Sequence, residues 1–332
     1  MAAFPSASDH ARRAARLVCV GFHGPAPTEE LIELVRVGVR AVILFARNAG
    51  DRHEVEETIR SVKSLASEPI LVCVDQEGGG TVRFEDGFNP PPSMREVGKD
   101  GPSRAAEVGA MLAADLRPVG IDLDLAPVVD VDSNPANPVI GSRSFGRDPE
   151  RVAECGAALI TAMQAGGVAA CAKHFPGHGD TAEDSHLELP RLAHPRERLD
   201  EVELPPFRAA IAADVASVMI SHVLHDGLDP SVPSTLSRRV VNDLLRVELG
   251  FDGVIISDDL QMQAISDHYE VGRAAVDAVR AGIDLLLCCH DFDQQLASID
   301  AIAGAIDSGI IDRLEVDKSI RRLDHLYDRF VR

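Results

Sequence analysis

Residues 173–186 read KHFPGHGDTAEDSH, with three histidines, two aspartates, a glutamate and a lysine in one short stretch. Such a density of titratable groups could be a metal nest, an acid–base device or a polar loop with no chemistry. Asp184 stands two residues before His186. A carboxylate at that spacing can orient an imidazole and raise its basicity, giving a pair that exchanges protons near neutral pH. Alone, Asp-x-His is a weak signal, and an ordinary loop histidine is the plain alternative. A metal reading fits less well. His174, His178 and His186 lack the i, i+4 spacing of a helical zinc site and have no cysteine partners, and Lys173 beside His174 would repel a dication. No metal or other cofactor is expected. A second candidate lies in IISDDLQM, where Asp258 is the first acid after a buried run. An aspartate held rigidly at a strand end could serve as a carboxylate nucleophile or electrostatic stabiliser. Asp259 next to it would turn its side chain elsewhere, and either could simply cap the next helix. The pattern favours Asp258 without deciding between them.

The elements that must position these groups are short apolar runs: RLVCVGF (16–22), AVILF (41–45), ILVCVD (70–75), IDLDLAPV (121–128), VAACAKHF (168–175), SVMISH (217–222), GVIISDD (253–259) and DLLLCC (284–289). Most are near-continuous Val/Ile/Leu rather than alternating, as strands of a parallel sheet covered on both faces read. Helical spacing fills the intervals. TEELIELVRVG runs from a Thr28 cap to Gly38, and SRRVVNDLLRVELG from Ser237 to Gly250. Eight such units predict an α/β fold, a single-domain (β/α)8 TIM-type barrel over residues 1–332. A doubly wound sheet is the runner-up, but no G-x-G-x-x-G follows the first strand. Further helices are expected near 292–307 and 312–330. In the second, Val316, Ile320, Leu323, Tyr327 and Phe330 fall on one face, as for packing on the barrel wall. GFNPPPSMREVG (87–98) is expected to be a surface loop. In such a barrel, chemistry sits where strands end. Strands 3 to 7 end in VDQEGGGTVRF, APVVDVD, KHFPGHGD, SHV and SDDLQM, so acids and bases from five strands converge on one rim.

Composition narrows the partners. Thirty-three Lys and Arg face 53 Asp and Glu, a net charge of −20, which opposes binding to nucleic acid or an anionic membrane. No secretory leader and no run of 18 apolar residues is read, so a soluble, cytoplasmic protein is expected, a monomer or weak oligomer. The six cysteines fit no zinc spacing. Five sit in four apolar runs, and all six are expected to be reduced.

The blocks VDQEGG, IGSRSFGRDPE, KHFPGHGDTAEDSHLELP, MISHV and ELGFDGVIISDDLQM closely resemble the bacterial single-domain β-N-acetylglucosaminidases of glycoside hydrolase family 3. The resemblance spans nearly the whole chain. It implies retaining hydrolysis of terminal β-linked N-acetylglucosamine from small soluble glycans, with cell-wall muropeptide fragments the expected substrate. Asp258 would then be the nucleophile and Asp184 with His186 the acid/base dyad. Asp75, Arg83, Arg143, Lys173 and His174 would hold the sugar, and Met262 would floor its pocket. His178 would shape a turn over 177–181 that lets the loop swing. One departure stands out. The family usually has Arg directly after Glu-Gly-Gly, where this chain has Gly80. A β-glucosidase of the family would take its acid/base from a second domain and carry Trp after the nucleophile, and this chain has no Trp. A phosphorylase would use the same dyad with phosphate as acceptor. A silent sugar-binding barrel is at odds with every expected catalytic position being filled, and a metal-dependent hydrolase would lose activity to a chelator.

Overall fold

The computed structural model describes residues 8–185 and 187–331. The apolar runs form eight parallel strands: β1 (Val18–Val20), β2 (Ala41–Leu44), β3 (Leu71–Val74), β4 (Leu123–Asp124), β5 (Ala169–Phe175), β6 (Ser217–Ile220), β7 (Val254–Ser257) and β8 (Leu286–Cys288). They pair in sequence order, with β8 beside β1. A bridge between Ile256 and Leu285 joins β7 to β8 and closes the barrel. Every residue of these strands is buried. That follows from the run composition, because helices cover one face while side chains fill the interior on the other. The predicted barrel is the one observed. A short ladder of Arg191–Leu192 with Leu224–His225 lies outside it.

Local chemistry sets the crossovers. Thr28 Oγ1 accepts from Leu31 N to cap helix Glu29–Val37, which ends at Gly38 with φ 137°. A side chain at Gly38 would also press on Arg12 Cα, 3.2 Å from where its Cβ would stand. Ser237 Oγ accepts from Val240 N before the segment Arg239–Glu248, which is helical as expected but wound with the wider i→i+5 turn. Helices Phe292–Asp307 and Arg313–Phe330 start from Asp291 and Asp312 caps. Val316, Leu323 and Phe330 are buried, and Ile320 and Tyr327 pack partly buried against the same core. One expectation is corrected. Within 87–98, Phe88, Pro91, Met94 and Val97 face inward, and Ser93 caps a helix over Met94–Asp100, so half of this proline-rich piece is structured core cover. All six cysteines are free and buried. No helix among the described residues is long and apolar enough to cross a membrane.

At the N-terminal end of the barrel, charge is used to tie strands together. Asp284, just before β8, is fully buried. It accepts from Ile255 N at 2.9 Å, from Arg246 at 2.7 Å and from Arg322 at 3.0 Å. Asp122, before β4, does the same with Val72 N, Lys63 and Arg117. Removing one member of such a buried group leaves the others uncompensated. Asp284→Ala is expected to lower the urea unfolding free energy by about 3 kcal/mol. A loss under about 1 kcal/mol would mean that the two arginines are solvated without it.

Candidate active site

At the C-terminal mouth of the barrel the strand ends enclose a cavity of about 210 Å³. Two larger grooves lie at the opposite end, along helix Arg313–Phe330. Their basic side chains are largely paired, as in Arg322 with Asp284 and Arg329 with Asp214. The strand ends that carry chemistry do not reach those grooves.

The cavity is organised around Lys173, near the end of β5 and only 2% exposed. Its ammonium lies 2.7 Å from Asp75 Oδ1 and 2.7 Å from Glu77 Oε1. Arg143 grips Glu77 with two hydrogen bonds, Nε at 2.7 Å and Nη2 at 2.8 Å. Burial pushes the Glu77 carboxyl up, but Lys173 and Arg143 outweigh it and hold the group well below the usual carboxylate range. Burial likewise works against the Lys173 charge, and Asp75 with Glu77 more than reverses it. Low-dielectric surroundings make each of these groups depend on the other.

The next layer orients that cluster. Gln76 Oε1 accepts from Arg83 N at 2.8 Å and Phe84 N at 3.1 Å, and its amide donates to Phe84 O, so it folds the loop that carries Arg83. Arg83 Nη2 comes within 3.6 Å of Asp75 Oδ2. Its buried Nε has no hydrogen-bond partner among the described residues. Asp130, beyond β4, holds the start of the KHF loop. It meets His174 Nδ1 at 2.7 Å and accepts from His174 N and His178 N. Arg143 can only donate to His174 Nε2, 3.4 Å away, so these partners fit the Nδ1–H tautomer of His174. The Lys173–His174 peptide is cis.

The two aspartates after β7 divide their roles. Asp259 is buried. Its Oδ1 accepts from Gln261 N at 3.1 Å and Cys289 N at 3.3 Å, and its Oδ2 lies 3.3 Å from His290 Nε2. It therefore acts as a turn anchor. Asp258 is partly exposed at the cavity, its main chain tied to Ile220 O at 3.1 Å and its Oδ1 accepting from Asp259 N at 2.9 Å. Met262 also lines the cavity. Asp75, Arg83, Arg143, Lys173, His174, Asp258 and Met262 are thus brought to one chamber. Asp184 sits partly exposed in the loop after β5, its carbonyl accepting from Leu187 N and Glu188 N. His186 lies outside the described residues. Gly80 has nothing within 4 Å of where a side chain would start, so the family's arginine would meet open space there. Among the described residues no group of three His, Cys, Asp or Glu side chains is arranged to hold a metal ion.

Glu77, Gln76 and Asp130 were not singled out from sequence. The usable signal was charge balance, since a lysine and an arginine at strand ends need buried counter-anions. Phe45 and His290 at the cavity edge were also missed. Their rings lie 5.3 Å apart, with the Arg47 guanidinium 4.3 Å from the Phe45 ring centre. Phe45 closing an apolar strand was the only hint.

Comparison with known proteins decides the family. The family described as "Glycosyl hydrolase family 3 N terminal domain" matches residues 12–326. The chain belongs to that family. It is therefore a glycoside hydrolase by family, as its motifs implied. It is 36% identical over 313 residues to a beta-hexosaminidase of Nitrosomonas eutropha, covering 91% of this chain and 89% of the relative. A solved family 3 beta-N-acetylglucosaminidase from Paenibacillus sp. superposes with TM-score 0.95 at 42% identity. That match covers 97% of this chain, which spans 63% of the Paenibacillus chain. NagZ from Neisseria gonorrhoeae, solved with N-trifluoroacetyl-D-glucosamine, superposes with TM-score 0.79 at 31% identity, covering 93% of this chain and 97% of that one.

Asp124 underlies the family 3 cavity from the end of β4. Its Oδ1 accepts from Gln76 N at 2.9 Å, while Oδ2 has no partner among the described residues. Burial pushes this carboxyl up to about 8, with Asp75 and Glu77 adding to the rise and Lys173 opposing it. The native state therefore keeps a proton that the unfolded chain releases near pH ~4, and stability from this group falls as pH rises between those values. Asp124→Asn removes the titration and keeps the acceptor. The variant's melting temperature relative to wild type is expected to rise steadily between pH 5 and 8. A constant difference across that range would show that Asp124 is already ionised.

Proposed function

We propose that the chain is a retaining β-N-acetylglucosaminidase, and that cell-wall muropeptide fragments in the cytoplasm are its substrates. One observation carries the reading. The small chamber is lined by Asp258 together with Asp75, Lys173, Arg143 and His174, four groups tied into one polar network. The names of the relatives, beta-hexosaminidase and beta-N-acetylglucosaminidase, support the amino sugar as the bound unit.

The cluster would hold the hydroxyls of the non-reducing sugar. Its ionised side chains are already paired with one another, so they need little rearrangement to receive a ligand. Arg83 adds a donor whose buried Nε is still unpartnered among the described residues. Asp258 then attacks the anomeric carbon. A carbon–oxygen bond forms to the carboxylate, and the glycosidic bond breaks as His186 gives its proton to the leaving oxygen. Water next attacks the same carbon, returning a proton to His186 and releasing Asp258. Asp184 would orient the imidazole and stabilise its cationic form. Two inversions at one carbon leave the product β-configured.

Asp258→Ala is expected to lower kcat on 4-nitrophenyl N-acetyl-β-D-glucosaminide by at least about 10³-fold, and proton NMR of the wild-type reaction should show β-N-acetylglucosamine appearing first. An α product, or full activity in the variant, would remove Asp258 from the nucleophile role. His186→Ala should spare kcat/KM for the aryl glycoside and cut it for chitobiose, because nitrophenolate leaves without a proton. Equal loss on both substrates would count against the acid role.

A further inference from the structure

The loop after β5 does not leave the barrel freely. Asp130 fixes the main chain at His174 and His178. Asn137 Nδ2 donates to His178 O at 2.8 Å and to Thr181 Oγ1 at 3.2 Å. Asp180 is held between Ser133 Oγ at 3.0 Å and the His194 ring. Gly179 packs so closely that a Cβ would stand 1.7 Å from Val131 O. The turn over 177–181, expected to let the loop swing, is therefore its bolted root.

Beyond Thr181 the loop returns to the barrel through Ser185. This residue is 2% exposed and lines the cavity, and its Oγ lies 2.9 Å from His178 Nε2. The other ring nitrogen of His178 meets Thr181 Oγ1 at 2.9 Å. The His178 ring is thus fixed by the root on one side and engages the loop tip on the other. Burial lowers its basicity to about 4, so the ring stays neutral when the cavity is at work. A neutral hydrogen bond of this kind is weak enough to break and reform, unlike the several ties at the root.

We infer that the Ser185–His178 hydrogen bond is the positioning contact that anchors the far part of the loop at the cavity, and that proton transfer by Asp184 and His186 depends on it. It rests on the reading of those two residues as the proton-transfer pair. Ser185 lies between them in sequence, so its side-chain contact acts on the segment that carries them. The sequence pattern Asp-Ser-His then has a part for its middle residue, and His178 acts through the loop rather than on substrate.

The test is Ser185→Ala, measured on chitobiose and on 4-nitrophenyl N-acetyl-β-D-glucosaminide. The substitution removes only the hydroxyl. Misplacing a general acid should lower kcat/KM for chitobiose by about tenfold or more. The same constant for the aryl glycoside should stay within about threefold, since its first step needs no proton. Limited proteolysis should cut faster within residues 182–190. A merely structural effect would lower both constants together. Equal losses, or no loss with unchanged proteolysis, would overturn the latch while leaving an Asp258-dependent glycosidase standing. A wild-type protein inactive on both substrates would overturn the underlying reading and the latch with it.

Discussion

A lysine ammonium buried in a protein interior is tolerable only beside its counter-charge, and that constraint organises this barrel's mouth. Lys173 draws Asp75 and Glu77 from the end of β3. Glu77 in turn holds Arg143 from the loop beyond β4. Arg143 then touches His174, which Asp130 orients. No single strand could supply this set. The closed barrel brings three strand ends within hydrogen-bond reach, and the ion network keeps their loops in one arrangement. On the proposed reading, a sugar hydroxyl would meet groups whose orientation is already set, which is a form of preorganisation.

The two ends of the barrel use buried charge differently. At the N-terminal end, Asp122 and Asp284 each accept a main-chain N–H and two cations, and their contacts hold neighbouring strands and helices together. At the C-terminal end the pairs border an open chamber, and burial pushes one carboxyl beneath them, Asp124, up to about 8. Asp258 and Asp259 both line the chamber, Asp259 buried and anchoring the turn and Asp258 the more exposed of the two.

Much of the fold was legible because parallel strands buried on both faces need runs of Val, Ile and Leu, and these runs are short and well separated. Thr28, Gly38 and Ser237 marked helix ends because capping and left-handed turns demand particular side chains. The piece at 87–98 misled because three prolines suggest a loop, whereas Phe88, Met94 and Val97 supply enough apolar surface to anchor it. In the site, residues directly after strands were readable from the barrel's geometry. Glu77 and Asp130 were not, because their importance lies in the partners they meet, on segments distant in sequence. The different hydrogen-bond partners of Asp258 and Asp259 likewise follow from no spacing rule. The wider i→i+5 winding of 239–248 left no trace that was read in its sequence.

The central claim is that the cavity-facing carboxylate of Asp258, and not that of its anchored neighbour, bonds to the sugar. The direct measurement is to trap the intermediate with a 5-fluoro N-acetylglucosaminyl fluoride, digest the protein and locate the added mass by fragmentation. The account predicts one glycosyl group on Asp258, lost again as the enzyme turns over. Label on Asp259, or no covalent species while an inverted product accumulates, would contradict it.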